Sequence, residues 1–384
     1  MQQSNITILD AFRGCLFGGG VGDALGYVVE FLGEYPIFDR FGPDGITSYA
    51  PDTASGKALI SDDTQMTLFT ANGLLVNCTR NAMEQIALPP RFHIEQSYLD
   101  WYSTQVNPYF SLRNELQQKK NVSWLWDIPE LFHRRAPGNT CMSALHDARI
   151  TDSVQNYIAH PRNHSKGCGG VMRVAPLAMK QWSSMEELQT EAAQVAAITH
   201  GHPLGYMPAA VLCHILNRIL FPVTESLCLR DIVAEAKATT EELFRGTPYL
   251  TELSRIMDLA LSLSENDESD LENIHRLGEG WVAEEALAIA LYCSLKYSND
   301  FSKAIIAAVN HKGDSDSTGA IAGNIVGALT GYEALEKKWK KDLECADILL
   351  EMAEDLYRVH GLGSEVPLSD ESWMRKYRDM CRKA

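Results

Sequence analysis

The chain has 384 residues, 45% of them hydrophobic and 22% charged, a composition typical of a globular protein with one large domain or two. Its formal net charge of −16 argues against nucleic acid as a partner, because phosphate backbones are bound by clustered Lys and Arg; a small phosphate-bearing ligand held by backbone amides and metals stays open. No run is long and apolar enough to span a bilayer, which argues against a membrane partner or anchor.

Cysteine usage and the first residues both indicate the cytoplasm. The nine cysteines are an odd number without a CxxC pair, a pattern typical of reduced thiols. Residues 1–5 lack the basic and hydrophobic regions of a signal peptide. We therefore expect a cytoplasmic protein with free thiols, and a zinc site built on Cys168 is a minor alternative.

The first predicted element covers residues 10–30, which look helical but contain six glycines. An interior glycine costs a helix about 1 kcal/mol relative to alanine, so close helix packing or a ligand against the backbone must compensate. We favour close packing, since a phosphate loop of the GxxxxGK type is absent. Glu30 precedes a loop predicted over residues 33–60, and on the residues alone such a side chain is more often solvated than functional.

The run Ser61-Asp62-Asp63-Thr64 opens a second predicted helix, whose apolar residues between 65 and 76 recur with a helical period. Ser61 or Asp62 is expected at its N-cap, where free N–H groups and the helix dipole favour carboxylates. Capping is therefore the purely structural explanation of these acids. A cap accounts for one acid, but less readily for two in succession.

The middle of the chain carries weaker signals. Residues 136–140 form a turn before a helix predicted over 141–147, and residues 166–176 contain three glycines before an apolar helical start. Such glycines make a backbone cradle suited to an anion or a sugar phosphate, but a tight turn needs the same residues. His200 more often caps or packs than ligates a metal, and Trp281 suits either the core or a ligand-stacking face.

The strongest acidic signal is the run Asp314-Ser315-Asp316-Ser317, where a loop becomes a helix predicted over 319–331. Glycines recur every four residues along that helix and form one flat stripe, at Gly319, Gly323, Gly327 and Gly331. The run is too short to span a membrane, so the stripe predicts a helix packed tightly among others. Both acids would then lie at the mouth of a rigid central helix.

If the fold brings Asp62, Asp63, Asp314 and Asp316 together, their charges must be neutralised. Two unit charges about 4 Å apart repel by roughly 4 kcal/mol at an effective dielectric of about 20. Protons or cations must compensate, and oxygen ligands without His or Cys point to Mg²⁺, Mn²⁺ or Ca²⁺. Two divalent cations would balance four aspartates, which makes a two-metal site the first hypothesis.

Helical periodicity dominates the chain, and strand signals are few. Neither repeats nor linker-like segments interrupt it. We therefore predict an all-α protein with a single domain over residues 1–384.

Taken together, the motifs resemble those of the ADP-ribosylglycohydrolase family, which includes dinitrogenase-reductase-activating glycohydrolases and ADP-ribosyl-arginine and ADP-ribosyl-serine hydrolases. The likeness runs in order from about Asp10 to Tyr332. Five ordered motifs are far more specific than one, and they are Gly22–Gly26 running to Glu30, Ser61–Gln65, Gly167–Arg173, Thr199–His200 and Gly313–Ser317. The resemblance implies a single-domain orthogonal α-helical bundle with a two-metal Mg²⁺ or Mn²⁺ centre.

The resemblance also implies roles, residue by residue. The implied metal ligands are Ser61, Asp62, Asp63, Asp314, Asp316 and Ser317. The implied catalytic carboxylates, one of which would serve as general base, are Glu30, Asp62 and Asp316. The residues implied for ADP-ribose are Gly138, Asn139 and Thr140 in the turn, Gly167, Cys168, Gly169, Gly170, Val171 and Met172 in the loop, and His200 and Trp281 near the nucleotide or at the rim.

Two departures from the family pattern are visible. Lys312 stands where glycine is common and could alter what the rim of the site tolerates. Ser315 and Ser317 replace the usual threonines, but serine keeps a hydroxyl that can donate and accept. We therefore expect metal binding to survive these changes.

The implied activity is hydrolysis of the N- or O-glycosidic bond between ADP-ribose and a protein side chain, with ADP-ribosyl-arginine as the first expectation. The partner would be an ADP-ribosylated protein or a small ADP-ribosyl conjugate. One alternative is a non-catalytic binder of ADP-ribose or of a partner protein, such as an immunity protein; the intact acid set speaks against it. A second is a metal-dependent hydrolase of another nucleoside diphosphate compound or ribosyl conjugate.

Overall fold

A computed structural model of the chain describes residues 6–111, 123–148, 156–222 and 227–379. Within these ranges there is no β-sheet, and the extended pairings are two isolated bridges, Ala58 with Leu343 and Gly167 with Val282. The all-α class predicted from the sequence is confirmed, while the single domain over residues 1–384 stays a prediction. The eight cysteines of the described residues are free thiols; Cys381 and residues 1–5 lie outside them.

Helices follow one another through the described residues, and the connection between Phe41 and Asp62 is a long loop. The α-helices are α1 (Ile8–Gly26), α2 (Glu34–Phe41), α3 (Asp62–Glu84), α4 (Arg91–Val106), α5 (Asn139–Ala148), α6 (Met185–Ala197), α7 (Pro203–Leu220), α8 (Leu229–Leu243), α9 (Leu250–Leu263), α10 (Asp270–Leu277), α11 (Ala283–Lys296), α12 (Phe301–Val309), α13 (Ser315–Thr330), α14 (Lys337–Lys340), α15 (Ala346–His360) and α16 (Glu371–Tyr377). Short 3-10 helices cover Trp124–Asp127, Pro129–Phe132, Cys168–Gly170 and Ala175–Met179. None of these described helices has both the length and the apolar character needed to cross a bilayer.

The loop predicted over residues 33–60 is wrong in its first part, because residues 34–41 form α2. Pro36 lies in the first turn of this helix, where its missing N–H group is not needed. Gly42 ends the helix with a φ of +91°, a value that glycine adopts at little cost. Proline and glycine therefore mark the two ends of a short helix here, and Ile37 is its buried residue.

Helices α1 and α13 pack backbone against backbone along their glycines. A Cβ atom added to Gly18 would lie 2.4 Å from the carbonyl oxygen of Gly323, and one added to Gly22 would lie 1.9 Å from that of Gly319. Side chains at these positions would force the two helices apart. The close packing predicted from both sets of glycines is confirmed, and each set proves to be the partner of the other.

This pairing fixes where the acidic segments lie. The end of α1 leads to Glu30, and a Cβ atom on Gly26 would come 2.2 Å from the carbonyl oxygen of Ser315 at the start of α13. Farther along, the side-chain amide of Asn324 donates to the carbonyl oxygen of Cys15 at 2.8 Å. The C-terminal end of α1 and the N-terminal end of α13 are therefore held together by backbone contacts.

Candidate active site

Two acidic segments that are far apart in the sequence meet at one cavity of about 690 Å³. Asp62 and Asp63 come from the first turn of α3, and Asp314 and Asp316 come from the start of α13. Glu30 reaches the same cavity from the segment that follows α1. Carboxylate oxygens of Glu30, Asp314 and Asp316 lie within 4.8 Å of one another.

The start of α3 leaves both of its acids free to face the cavity. Ser61 is the N-cap, and its hydroxyl accepts a hydrogen bond from the N–H of Asp63 at 3.1 Å. Asp62 is therefore not the cap; its carboxylate accepts only a long bond, 3.4 Å, from the N–H of Gly138. The capping explanation of the two acids thus fails, because another residue performs that task.

The start of α13 is shaped by a glycine. Gly313 has a φ of +137°, and a Cβ atom on it would lie 1.9 Å from the carbonyl oxygen of Glu279. The next N–H group, that of Asp314, donates to the same oxygen at 2.8 Å. Asp316 sits in the first turn of the helix, where its carboxylate accepts from the N–H of Ser317 at 3.0 Å. A larger residue at position 313 would therefore displace both acids.

The thiol of Cys168, which the resemblance assigned to the ADP-ribose loop, lies beside these acids; the sequence did not predict that contact. The Sγ atom of Cys168 donates to Oδ2 of Asp314 at 2.7 Å. Burial, together with the charges of Asp314 and Asp63, raises the pKa of this thiol well above its usual value. Cys168 therefore acts as a neutral hydrogen-bond donor to the cluster in the absence of a cation.

Burial raises the pKa of every acid in the cluster. It raises the pKa of Glu30 to about 10, and the charges of Asp316 and Asp314 add to the effect. Burial and the charge of Asp316 also hold the pKa values of Asp62 and Asp63 well above their usual range. Burial and the charge of Asp316 raise the pKa of Asp314, and burial raises the pKa of Asp316. Without a cation, the site therefore retains protons.

The donor set fits hard divalent cations. Glu30 Oε2 and Asp63 Oδ2 are buried and find no hydrogen-bond donor in the described part of the chain. Carboxylate and hydroxyl oxygens are the ligands that Mg²⁺ and Mn²⁺ prefer. Ser317 lines the cavity with them, while Ser61 is buried and does not line it. A cation would satisfy both the unpaired oxygens and the excess negative charge.

The glycine loop after residue 166 forms one wall of the cavity. Gly167, Cys168, Gly169 and Met172 line it, and the Cys168 N–H group donates to the carbonyl oxygen of Trp281 at 3.2 Å. Gly170 and Val171 belong to the same loop but are buried and do not line the cavity. A Cβ atom on Gly170 would lie 2.8 Å from the carbonyl oxygen of Gly205.

His200 also lines the cavity, next to Gly167 and Gly169 of this loop. Its Nδ1 atom shares a hydrogen bond of 2.8 Å with the hydroxyl of Thr199. Burial, helped by the charge of Arg173, lowers the pKa of His200 to about 3. His200 is therefore neutral near pH 7 and can position a ligand, but it is not a cation there.

A second wall of the cavity is formed by Gly138, which directly precedes α5, and by Asn139 and Thr140 in the first turn of that helix. The helix therefore begins two residues before the predicted position 141. Gly138 has open space where a Cβ atom would lie. The Thr140 hydroxyl pairs with that of Ser165 at 3.1 Å, which ties this turn to the glycine loop. The two walls therefore frame one continuous space above the acids.

Two aromatic side chains lie at the mouth. Phe31 is 71% exposed and Trp281 is 40% exposed. Their rings stack with centroids 6.2 Å apart and planes 25° apart. Lys312 pairs with Glu279 at 2.8 Å on the surface, and neither of these two lines the cavity.

Comparison with known proteins identifies the family of this chain. The ADP-ribosylglycohydrolase family profile matches residues 4–365. This chain belongs to the ADP-ribosylglycohydrolase family. The resemblance inferred from the motifs is thereby confirmed, and members of the family are hydrolases.

Individual relatives are distant in sequence but similar in length. The ADP-ribosylhydrolase ARH3 of Mus musculus is 24% identical, with 91% of this chain and 92% of that protein covered. The ADP-ribosyl-(dinitrogen reductase) glycohydrolase of Rhodospirillum rubrum is 22% identical, with 88% and 92% covered. A solved structure of an ADP-ribosylglycohydrolase-related protein complex matches with a TM-score of 0.62 at 24% identity, covering 92% of this chain and 99% of the other. That likeness supports the fold.

Outside the predicted turn of residues 136–140, three residues that line the cavity of this ADP-ribosylglycohydrolase were not predicted from the sequence. Phe31, Arg134 and Cys141 line the cavity, and each gives only a weak signal in the sequence. Phe31 follows Glu30 directly, and Arg134 precedes the turn, so nearness to a motif was the available clue. Cys141 reads as an ordinary core residue, since its side chain is also buried in α5.

Arg134 differs from its neighbour Arg135. The Arg135 guanidinium makes two hydrogen bonds to Glu344, at 3.0 and 3.1 Å. Arg134 is exposed and has no ion-pair or hydrogen-bond partner among the described residues. It is also the only Lys or Arg among the described residues that line the cavity. The charge of Arg134 is therefore available to a ligand.

Proposed function

We propose that this chain removes ADP-ribose from modified protein side chains, with the arginine linkage as the first candidate, and so reverses mono-ADP-ribosylation. The observation that carries the proposal is the set of five buried carboxyl groups at the base of one cavity, with too few donors to satisfy them. The cavity volume, about 690 Å³, falls within the range typical of small-molecule sites. The names of the relatives support ADP-ribosyl compounds as the substrate class.

The residues proposed to hold two Mg²⁺ or Mn²⁺ ions are Ser61, Asp62, Asp63, Asp314, Asp316 and Ser317. When bound, such ions polarise substrate oxygens and lower the pKa of bound water.

Glu30 is proposed as the general base that takes a proton from the attacking water, as carboxylates do in glycoside cleavage. The water oxygen forms a bond to the anomeric carbon as the bond from that carbon to the side-chain atom breaks, and the proton taken from the water is passed on to the released side chain. Burial favours the neutral form of Glu30, so the carboxylate needs nearby positive charge before it can act as a base.

The two walls are proposed to bind the rest of the substrate. The glycine loop and the turn before α5 present backbone to the cavity at Gly167, Gly169 and Gly138, which suits a diphosphate. Arg134 adds a guanidinium, a group that binds phosphate oxygens well. The exposed rings of Phe31 and Trp281 would contact either the base or the modified side chain at the mouth.

The decisive experiment is a turnover panel with purified protein. ADP-ribosyl-arginine peptide, ADP-ribosyl-serine peptide and O-acetyl-ADP-ribose would each be incubated with Mn²⁺, and free ADP-ribose would be measured by chromatography. We expect release from at least one protein-type linkage, and none with excess EDTA or with Asp316→Ala. Tight binding of ADP-ribose without turnover of any substrate would instead identify a binding protein.

A further inference from the structure

We propose that Asp23, a buried carboxylate of α1, is a positioning residue that holds the start of α3 where its acids can bind cations. The proposal rests on the metal-dependent function proposed above. Asp23 is fully buried and does not line the cavity, so it would act through the ligands of the site and not as one of them.

The side-chain hydrogen bonds that the Asp23 carboxylate accepts among the described residues come from one short segment. Its two oxygens accept from the N–H of Ser61 at 3.0 and 3.1 Å. Oδ2 also accepts from the N–H of Thr64 at 3.1 Å and from the Thr64 hydroxyl. The residues between these two anchors are Asp62 and Asp63, two of the proposed metal ligands. Asp23 therefore clamps both ends of the ligand segment.

This clamp explains why the α3 acids are free. Helix starts leave N–H groups that need acceptors, and side-chain carboxylates are good ones. The Asp23 carboxylate accepts from the N–H groups of Ser61 and Thr64, and the Ser61 hydroxyl accepts from the N–H of Asp63. The carbonyl oxygen of Arg135 accepts from the N–H of Asp62 at 3.1 Å. If Asp23 were lost, the N–H groups of Ser61 and Thr64 would lose this acceptor, and the segment that carries Asp62 and Asp63 would lose its anchor on α1.

The position of Asp23 on α1 links the two halves of the site. The neighbouring Gly22 and the following Gly26 touch the backbone of α13 at Gly319 and Ser315. One face of this helix is therefore packed on α13, while Asp23 holds α3. The distance between the Asp62 pair and the Asp314 pair depends on this single helix, and a binuclear site tolerates little change in such a distance.

The test uses Asp23→Asn, which keeps the shape but replaces one accepting oxygen with a donor facing the N–H groups of Ser61 and Thr64. Asp52→Asn is a matched control, because Asp52 also accepts two backbone N–H groups and one hydroxyl, in a turn outside the proposed site. Mn²⁺ affinity of the metal-free protein would be measured without substrate, by electron paramagnetic resonance and calorimetry. We expect Mn²⁺ binding about 10–100-fold weaker in Asp23→Asn and unchanged in Asp52→Asn.

Activity separates a positioning role from a ligand role. Asp23→Asn should lose turnover at limiting Mn²⁺ and regain the wild-type kcat at excess Mn²⁺, with KM for the ADP-ribosyl substrate unchanged. Asp62→Asn, a change to a proposed ligand, should stay impaired at any Mn²⁺ concentration. If Asp23→Asn binds Mn²⁺ as tightly as the wild type, the inference is overturned.

A second variant guards against misfolding. Thr64→Val removes only the hydroxyl that donates to Asp23, and circular dichroism would check the fold of both variants. We expect Thr64→Val to bind Mn²⁺ more weakly than the wild type, but with a smaller loss of affinity than Asp23→Asn. If Asp23→Asn misfolds and Thr64→Val binds Mn²⁺ with wild-type affinity, the clamp is contradicted. Failure of the wild-type protein itself to bind Mn²⁺ would instead overturn the proposed function, so the two failures are distinguishable.

Discussion

Single side chains in this site gain their roles from residues of other segments. Asp62 and Asp63 occupy positions in α3 where acids commonly cap a helix. Ser61 supplies the local cap, and Asp23 on α1 accepts from the N–H groups of Ser61 and Thr64. The two acids therefore face the cavity, and their raised pKa values follow from burial beside Asp316.

Glu30→Gln tests the proposed general base. The amide cannot take a proton from water, so we expect kcat to fall by about 10²–10⁴-fold. Steady-state kinetics with saturating Mn²⁺ would measure the change. Glu34→Gln is the control, since Glu34 lies outside the cavity lining, and its kcat should match the wild type. A wild-type kcat for Glu30→Gln would remove Glu30 from the mechanism.

Arg134→Ala tests whether the unpaired guanidinium binds the substrate. A hydrogen bond to a charged group contributes about 1.5–3 kcal/mol, so we expect KM to rise roughly 10–100-fold while kcat changes little. Arg245→Ala is the control, because Arg245 is exposed and paired with Glu242 away from the cavity. An unchanged KM in Arg134→Ala would show that Arg134 does not bind the substrate and that backbone groups alone bind the diphosphate.

At the level of helices, α1 and α13 form the frame of the site. Glycines on both helices permit backbone contact, and the acids project from the ends of this pair. The sequence predicted that each glycine-rich helix packs closely. The sequence did not identify which helix packs against which, because a stripe of small residues shows that one helix surface can pack closely but carries no information about the helix that packs on it.

Gly323→Ala tests this frame. The added Cβ atom would lie 2.1 Å from the carbonyl oxygen of Gly18, and the two backbones would have to separate. Overpacking of a core typically costs about 1–3 kcal/mol, and we expect the free energy of unfolding to fall by the upper end of that range or more. Urea denaturation followed by circular dichroism would measure it.

Gly33→Ala is the matched control for that substitution. Its nearest contact to a Cβ atom is at 3.8 Å, to Pro36, so a loss below about 1 kcal/mol is expected for this N-cap glycine. Equal losses in the two variants would show that the α1–α13 contact is not unusually tight.

Across the whole molecule, the dominant electrostatic feature is a strongly acidic chain with acids gathered inside it. The formal net charge is −16. Burial raises the pKa of Asp23 to about 7, with a further contribution from Asp316, and that of Glu30 to about 10. In the absence of cations, folding therefore requires that protons stay bound to these groups.

The sign of the resulting pH dependence follows from linkage. Above about pH 4 the unfolded chain releases protons that the folded state still holds, so stability of the metal-free protein falls as pH rises toward the folded pKa values. Cations compete with these protons. We expect Mn²⁺ to raise the melting temperature more at about pH 8 than at about pH 5.5, as measured by thermal scans.

Asp62→Asn combined with Asp316→Asn gives the comparison for that prediction. Two acids of the cluster are then neutral at every pH, so both the pH dependence and the Mn²⁺ effect should shrink. A Mn²⁺ effect that is equal at the two pH values in the wild type would contradict proton–cation competition at this site.

Short-range patterns carried much of this structure. Helical periodicity predicted the all-α class, and the pairs Asp62–Asp63 and Asp314–Asp316 each marked an acidic segment, because these signals depend on residues near one another in sequence. That the two pairs line one cavity is decided by the packing of the helices. The helix α2, the clamp by Asp23, the thiol of Cys168 beside Asp314, and the free charge of Arg134 were not evident. Each of these features depends on contacts, or on the lack of a contact, between segments that are distant in sequence. Such contacts form only when the helices pack together.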